Sequence, residues 1–207
     1  MAISAAELER TFESSVSKQV LEALIRCLFG AYRTAFEECA GFPAQEAHDL
    51  RPYYRWIQLR SDLRGVADRF AGVQATPEPY HTLLTIGRIL LTASPVDGPG
   101  ELVRRSNYRT TYANSSQLEL FEKNEPPPDD AQFYAILIHG QDPNEPRQPL
   151  FAQIAFPDKN LDSYVHKIDL FSRFQSLVDS LRIPGEEAEG QEPLVQLHKE
   201  AQKKKES

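Results

Sequence analysis

Three histidines beyond residue 80 are the side chains best suited to acid–base or metal chemistry. His81, His139 and His166 lie in a region rich in strand-forming residues, and aspartates close in sequence could complete a metal site or a base pair. The spacing supports neither, because the chain has no His-x-His, His-Glu-x-x-His or Cys-x-x-Cys. His139 stands beside Gly140 at a strand end, where it can equally bond a backbone carbonyl.

The common nucleophile and phosphate motifs are absent as well. The chain has no Gly-x-Ser-x-Gly, no Gly-Lys-Ser/Thr and no Gly-x-Gly-x-x-Gly. We therefore predict no catalytic residue, no metal ligand and no cofactor. A hydrolase or nuclease that uses one of the sheet histidines is kept as the second alternative function.

A basic stretch at residues 103–117 is the strongest candidate for a contact surface. It carries Arg104, Arg105 and Arg109 with Tyr108 and Tyr112, and it contains no acidic residue. Arginine and tyrosine are enriched at protein interfaces, and arginine forks also suit carboxylates and phosphates. We predict that this stretch lies in a loop or at a sheet edge and binds a partner. The alternative is that this stretch binds no partner and is a solvated connection whose arginines pair with acidic residues of the surface.

A second group of arginines lies on a predicted helix. Arg60 and Arg64 fall on one flank of its apolar stripe, while Arg51, Arg55 and Arg69 fall on the other. Arg60 and Arg64 are therefore candidates for nucleic-acid contact. Arginines on both flanks are also usual on a surface helix, where their stems cover the core edge. The net charge of -7 and pI near 5.3 disfavour general binding to nucleic acid or anionic membranes.

Composition places the chain among ordinary globular proteins. It has 207 residues, of which 41% are hydrophobic and 26% charged, which suffices for one large domain or two small ones. Cys27 and Cys39 stand too far apart along one helix to form a disulfide. Because we also find no signal-peptide pattern and no long apolar run, we expect a cytoplasmic protein without a membrane segment.

The first 72 residues predict a helical region. Apolar residues recur at three and four residues from Val16 to Phe36, and Ser14 and Ser15 break this region into a short and a long helix. Pro43 and Pro52 each suit the first turn of a further helix. The third helix, at residues 53–70, should bury one face, formed by the side chains Trp56, Leu59, Leu63, Val66 and Phe70.

Residues 73–183 predict a sheet region with a closing helix. We place strands at 80–86 and 88–93 around Gly87, at 117–121, and in a hairpin at 133–139 and 150–156, while Pro77 and Pro79 mark a connection. Residues 163–170 could extend the sheet, 171–181 form the closing helix, and 184–207 form a polar tail. The first hairpin strand is apolar on both faces, so the sheet must be covered on both faces.

These elements describe an α+β fold: a helical N-terminal region packed on a mainly antiparallel sheet and closed by a C-terminal helix. We expect a non-catalytic binding or regulatory module that engages a protein partner through the helical region or a sheet edge. The first alternative is a nucleic-acid-associated regulator that uses an arginine-rich surface. The sequence leaves the oligomeric state open.

Overall fold

A computed structural model describes residues 5–122 and 131–183, without the side chains of residues 115–122. The helices of this part are α1 (Ala5–Ser15), α2 (Lys18–Glu38), α3 (Ala44–Arg69), α4 (Asn107–Glu122), α5 (Leu170–Arg173) and α6 (Gln175–Leu181). The strands are β1 (Val73–Pro77), β2 (Thr82–Ile86), β3 (Ile89–Pro95), β4 (Phe133–Gln141), β5 (Pro149–Pro157) and β6 (Tyr164–Asp169). The predicted tail at 184–207 lies outside the described residues.

The six strands form one sheet in the order β1-β2-β3-β4-β5-β6. Neighbours pair antiparallel except β3 and β4, which are parallel, so the predicted mainly antiparallel sheet and the α+β class are confirmed. The predicted hairpin is β4 and β5, and β2 and β3 meet at Gly87, whose φ of 54° favours glycine.

Each face of the sheet packs against its own layer. Leu137 joins the core made with α1, α2, α3, α5 and α6, whereas Ile136 and Ile138 face the smaller core made with α4. Residues 133–140 of β4 are all buried. The prediction that both faces are covered is therefore confirmed, because an all-apolar strand is stable only between two layers.

The N-terminal helices follow the sequence pattern except around Pro52. α1 ends at Ser15, and the Ser17 hydroxyl accepts a hydrogen bond from the Val20 N–H at the start of α2, as the predicted break requires. The separate third helix that we expected to begin at Pro52 is wrong, because α3 runs unbroken from Ala44. Buried residues hold α3 against the rest of the fold on both sides of Pro52, Ala47 before it and Leu59, Leu63 and Val66 after it, and this packing offsets the roughly 3 kcal/mol cost of an interior proline.

Two assignments in the sheet region are also corrected. Residues 117–121 were expected as a strand, but Asn107–Glu122 is helix α4. The basic stretch was expected in a loop or at a sheet edge, which is correct for residues 103–106 and wrong from Asn107 onward. The parallel pairing of β3 with β4 explains this, since parallel neighbours need a long crossover, usually helical. The expected connection at Pro77 instead holds edge strand β1, where a terminal proline is tolerated.

Three smaller findings complete the fold. The closing helix at 171–181 is present as the short helices α5 and α6, which meet at Phe174. Cys27 and Cys39 are buried free thiols, as predicted. Among the helices of residues 5–122 and 131–183, none combines the length and the apolarity that a membrane crossing needs.

Candidate functional site

The chemistry-bearing side chains gather at one end of the parallel pair β3 and β4. In register, Pro95 at the end of β3 lies beside His139 near the end of β4, and β2 begins at the same edge with Thr82. The carboxyl ends of parallel strands are where open α/β sheets place ligands. Helix α3 lies across this edge and covers a cavity of about 30 Å³.

We call this space the arginine–histidine cavity. Its polar walls are Arg55 and Arg60 from α3 and His81, Thr82 and His139 from the sheet. The rest of its lining is apolar or aromatic and consists of Pro52, Trp56, Leu59, Leu63, Tyr80, Ala93 and Pro95.

His139 is held against α2 rather than against a backbone carbonyl. Its Nδ1 lies 2.9 Å from the Tyr32 hydroxyl, and only 2% of the residue is exposed. Burial, reinforced by the nearby positive charge of Arg55, lowers the pKa of His139 to about 3, so the ring is neutral at pH 7. Its Nε2 has no hydrogen-bond partner within the described residues.

Arg55 is a buried charge beside this histidine. It is 8% exposed, its guanidinium lies 4.3 Å from the centre of the Tyr32 ring, and its Nη1 donates to Gln141 Oε1 at 3.0 Å. It forms no salt bridge with a carboxylate of the described chain. We expected Arg55 on the exposed flank of its helix, and this is corrected: α3 lies over the sheet edge, so Gln141 covers that flank.

Arg60 forms the opposite wall. Its guanidinium lies 4.7 Å from the centre of the Trp56 ring and donates to the Glu78 carbonyl, while its own carbonyl accepts from the Thr82 hydroxyl at 3.1 Å. Its Nε is buried and, within the described residues, without a hydrogen-bond partner. The candidate nucleic-acid residue Arg60 therefore forms part of the cavity wall. Arg64 is exposed, and among the described residues its side chain donates to the Arg60 carbonyl alone.

His81 connects the cavity to helix α4. Its ring stacks on Tyr108 at 3.9 Å between ring centres, and its Nε2 lies 3.3 Å from the Tyr112 hydroxyl. Burial lowers the pKa of His81, and its Nδ1 is buried without a partner among the described residues. Two of the predicted partner-binding residues, Tyr108 and Tyr112, thus stand behind the cavity wall.

The arginines of the basic stretch divide between the interior and the surface. Arg109 is buried, and it ties α4 to β3 by donating to Ser94 Oγ at 2.9 Å and to the Arg104 carbonyl. The side chains of Arg104 and Arg105 are exposed, and Arg105 forms a salt bridge with Asp162. The structure therefore does not bring the five predicted residues onto one surface.

His81 and His139 line the same cavity, but the third histidine does not join them. His166 lies on β6, where its Nε2 is 3.6 Å from Glu9 Oε2. No group of three metal-ligating side chains is found among residues 5–122 and 131–183.

Aromatic side chains lie at and beside the cavity. Trp56 and Tyr80 line it, and Tyr53 contacts Trp56, with 5.5 Å between their ring centres. Tyr53 is 58% exposed and Tyr80 76%, and the Trp56 Nε1 donates to the Tyr80 carbonyl at 3.1 Å. We call Tyr53, Trp56 and Tyr80 the aromatic rim. Trp56 was expected to face inward, which is wrong because it is half-buried, whereas Leu59 and Leu63 are buried as predicted.

Sequence reasoning missed Tyr80 and Arg55 as site residues. The signal available for Tyr80 was an aromatic residue flanked by Pro79 and His81 in a segment of extended character. For Arg55, helical periodicity predicted a position on the flank of the apolar stripe, so the sequence pattern gave no indication that the side chain belongs to a site.

Comparisons with known proteins give no family and no fold relative. No protein-family model matches the chain, and neither the curated proteins nor the solved structures contain a match. The site therefore has to be interpreted from its own geometry.

Proposed function

We propose that this protein is a non-catalytic binding module that engages a partner protein through the aromatic rim and the arginine–histidine cavity beneath it. The observation that carries the proposal is the exposure of Tyr53 and Tyr80, which both contact Trp56, next to a concave site that Trp56 and Tyr80 line. Tyrosine, tryptophan and arginine are the residues most enriched where partner proteins contribute binding energy.

The rim is also suited energetically to being covered. A large aromatic side chain buries about 150–250 Å² when it is enclosed, and apolar surface contributes about 25 cal/mol per Å² on burial. Trp56 is already fixed by its hydrogen bond to the Tyr80 carbonyl and by the Arg60 guanidinium above its ring. A partner would therefore meet a preorganised surface and lose less side-chain entropy on binding.

The cavity favours binding over hydrolysis. Within the described residues its lining contains no Ser, Cys, Asp or Glu, so no carboxylate orients His81 or His139 there. The one aliphatic hydroxyl of that lining, on Thr82, donates its hydrogen to the Arg60 carbonyl rather than to a histidine. The hydrolase or nuclease alternative lacks a specific observation in its favour.

Charge indicates the chemistry of the partner. Arg55 and Arg60 bring two positive charges to the site, exposed Arg64 follows Arg60 one turn along α3, and no acidic residue belongs to the described lining. We therefore propose an acidic segment of a partner protein as the occupant. The nucleic-acid alternative stays a hypothesis, because Arg60 and Arg109 are engaged inside the protein.

The buried free thiols Cys27 and Cys39 support a reducing compartment. We propose that the protein acts in the cytoplasm.

The test is affinity capture with a rim variant and a matched control. Tyr53→Ala with Tyr80→Ala removes the two exposed rings, and Leu150→Ala with Val165→Ala removes exposed apolar side chains from β5 and β6. We expect mass spectrometry to find a partner that the wild type and the control capture but the rim variant does not. Equal capture by all three proteins would contradict the proposal, and a partner lost only after nuclease treatment would favour the nucleic-acid alternative.

A further inference from the structure

We propose that the arginine–histidine cavity is a carboxylate receptor, in which His139 Nε2–H and the guanidinium groups of Arg55 and Arg60 hold a carboxylate of the partner protein. This inference rests on the proposed function and names the chemical group that the partner inserts.

The hydrogen bond to Tyr32 decides which nitrogen of His139 carries the proton. The bond to His139 is the one hydrogen bond of the Tyr32 hydroxyl among the described residues. If Nδ1–H donated to the hydroxyl oxygen, two buried groups would lack a partner, the Tyr32 O–H and the Nε2 lone pair, whereas donation by the hydroxyl leaves Nε2–H alone unpaired. We therefore assign the hydroxyl as donor to Nδ1, so Nε2 carries the hydrogen.

His139 lines the cavity, and Nε2 is the ring nitrogen that Tyr32, which lies outside the lining, leaves unbonded. The Nε2 edge of the ring is therefore the one available to a ligand. Nε2 is buried and has no acceptor within the described residues. A neutral ring with its other nitrogen already bonded can only donate there, which selects a ligand with an acceptor atom.

The arginines require that this acceptor be negatively charged. Arg55 is buried and Arg60 has a buried, unpartnered Nε, yet neither forms a salt bridge with a carboxylate of the described chain. A buried charge is costly unless it is paired and hydrogen-bonded. A bound anion would supply that pairing through charge-assisted hydrogen bonds.

The lining of the cavity favours a carboxylate over a phosphate. Its donors are few and the remaining walls are apolar or aromatic, which suits two charged oxygens on a carbon better than the four oxygens of a phosphate. The apolar lining, including Leu59, Leu63 and Ala93, suits the methylene carbon that carries the carboxylate.

Acetate is the direct probe, followed by NMR of the histidine ring signals at pH 7 and constant ionic strength. We expect saturable shifts of the His139 and His81 signals with acetate, none with acetamide, and none with inorganic phosphate. Non-saturable shifts with acetate, or equal saturation with acetamide or phosphate, would overturn the inference.

Two near-isosteric variants separate the roles of the His139 nitrogens. His139→Gln places an amide where Nε2 stood and should keep a donor to acetate, whereas His139→Asn places its amide at the Nδ1 position and should weaken acetate binding about tenfold or more. If His139→Asn is not folded, Arg60→Gln is the second variant, and it should weaken acetate binding by a similar factor. Unchanged acetate affinity in the folded variants would overturn the assignment.

A third experiment, with an N-acetylated amino acid, tests whether the carboxylate comes from a protein. N-acetylglycine should bind more tightly than acetate because its amide and methyl groups reach the aromatic rim, and Tyr80→Ala should weaken the binding of N-acetylglycine more than that of acetate. A peptide no tighter than acetate would overturn the assignment of the carboxylate to a partner protein. If acetate fails to bind while partner capture still depends on the rim, this inference falls and the proposed function stands.

Discussion

Acid should destabilise this protein through His139. The ring is buried between Tyr32 and Arg55, and burial lowers its pKa from 6.5 to about 3. Below pH 6.5 the His139 ring binds a proton in the unfolded chain but not in the folded protein, so the free energy of unfolding falls as the pH drops from 6.5 towards 3. Between pH 7 and pH 5 this linkage amounts to about 2 kcal/mol for the one residue.

The assay is urea denaturation of the wild type and of His139→Gln at pH 7, 6 and 5. Glutamine stays neutral over this range, so the variant lacks the His139 contribution but keeps that of every other titrating group. The wild type should therefore lose about 2 kcal/mol more than the variant between pH 7 and pH 5. His48→Gln replaces an exposed histidine and serves as the control, which should follow the wild type.

Equal losses in the wild type and His139→Gln would refute the reasoning. That result would mean that His139 accepts a proton in the folded protein as readily as in the unfolded chain. Burial beside Arg55 would then not keep the ring neutral in the folded protein, and His139 would not be the source of the acid sensitivity.

Three further predictions concern the fold. Ile136→Ala should lower the free energy of unfolding by about 2–5 kcal/mol because the side chain is fully buried in a central strand, and a urea-measured loss below about 1 kcal/mol would refute that placement. Arg109→Ala should lower the free energy of unfolding by about 1–3 kcal/mol because it removes buried hydrogen bonds, whereas Arg104→Ala, at an exposed position, should change it by less than about 0.5 kcal/mol. Similar shifts of the melting temperature for the two variants would contradict this. Gly140→Ala should cost about 1–3 kcal/mol because its Cβ would meet Phe151 Cε1 at 2.3 Å, and an unchanged urea midpoint would show that the ring moves freely aside.

Local pattern was sufficient for much of the sheet. The run from Phe133 to His139 is apolar at every position up to the histidine, and a strand with that pattern has to lie between two layers, as β4 does. Residues 117–121 alternate as a strand would, but this short pattern does not decide the structure, because the parallel strands β3 and β4 need a long connection between them, which is usually helical. The need for that connection follows from the pairing of two segments that are distant in sequence, so residues 117–121 and their neighbours cannot reveal it.

The candidate site was less accessible to sequence reasoning. His139 and His81 were recognised individually, but their meeting depends on strand register, and Tyr32 is 107 residues away from the histidine that it fixes. Arg55 was placed on an exposed flank by helical periodicity, which describes a helix but not the loop or strand end that covers it. Residue type could therefore suggest the members of the site, whereas only tertiary packing assembles them.

The parallel pairing of β3 with β4 divides the sheet into two antiparallel meanders, β1-β2-β3 and β4-β5-β6, which meet along one seam from Ile89 and Phe133 to Pro95 and His139. Every lining residue of the cavity comes from the first 95 positions except His139, which the second meander contributes at the end of that seam. A ligand that contacts both sides binds only when the meanders are joined, so its binding energy adds to the stability of the seam. A bound ligand should then slow amide hydrogen exchange along β3 and β4 more than in edge strand β1, so that exchange rates along the seam report whether the cavity is occupied.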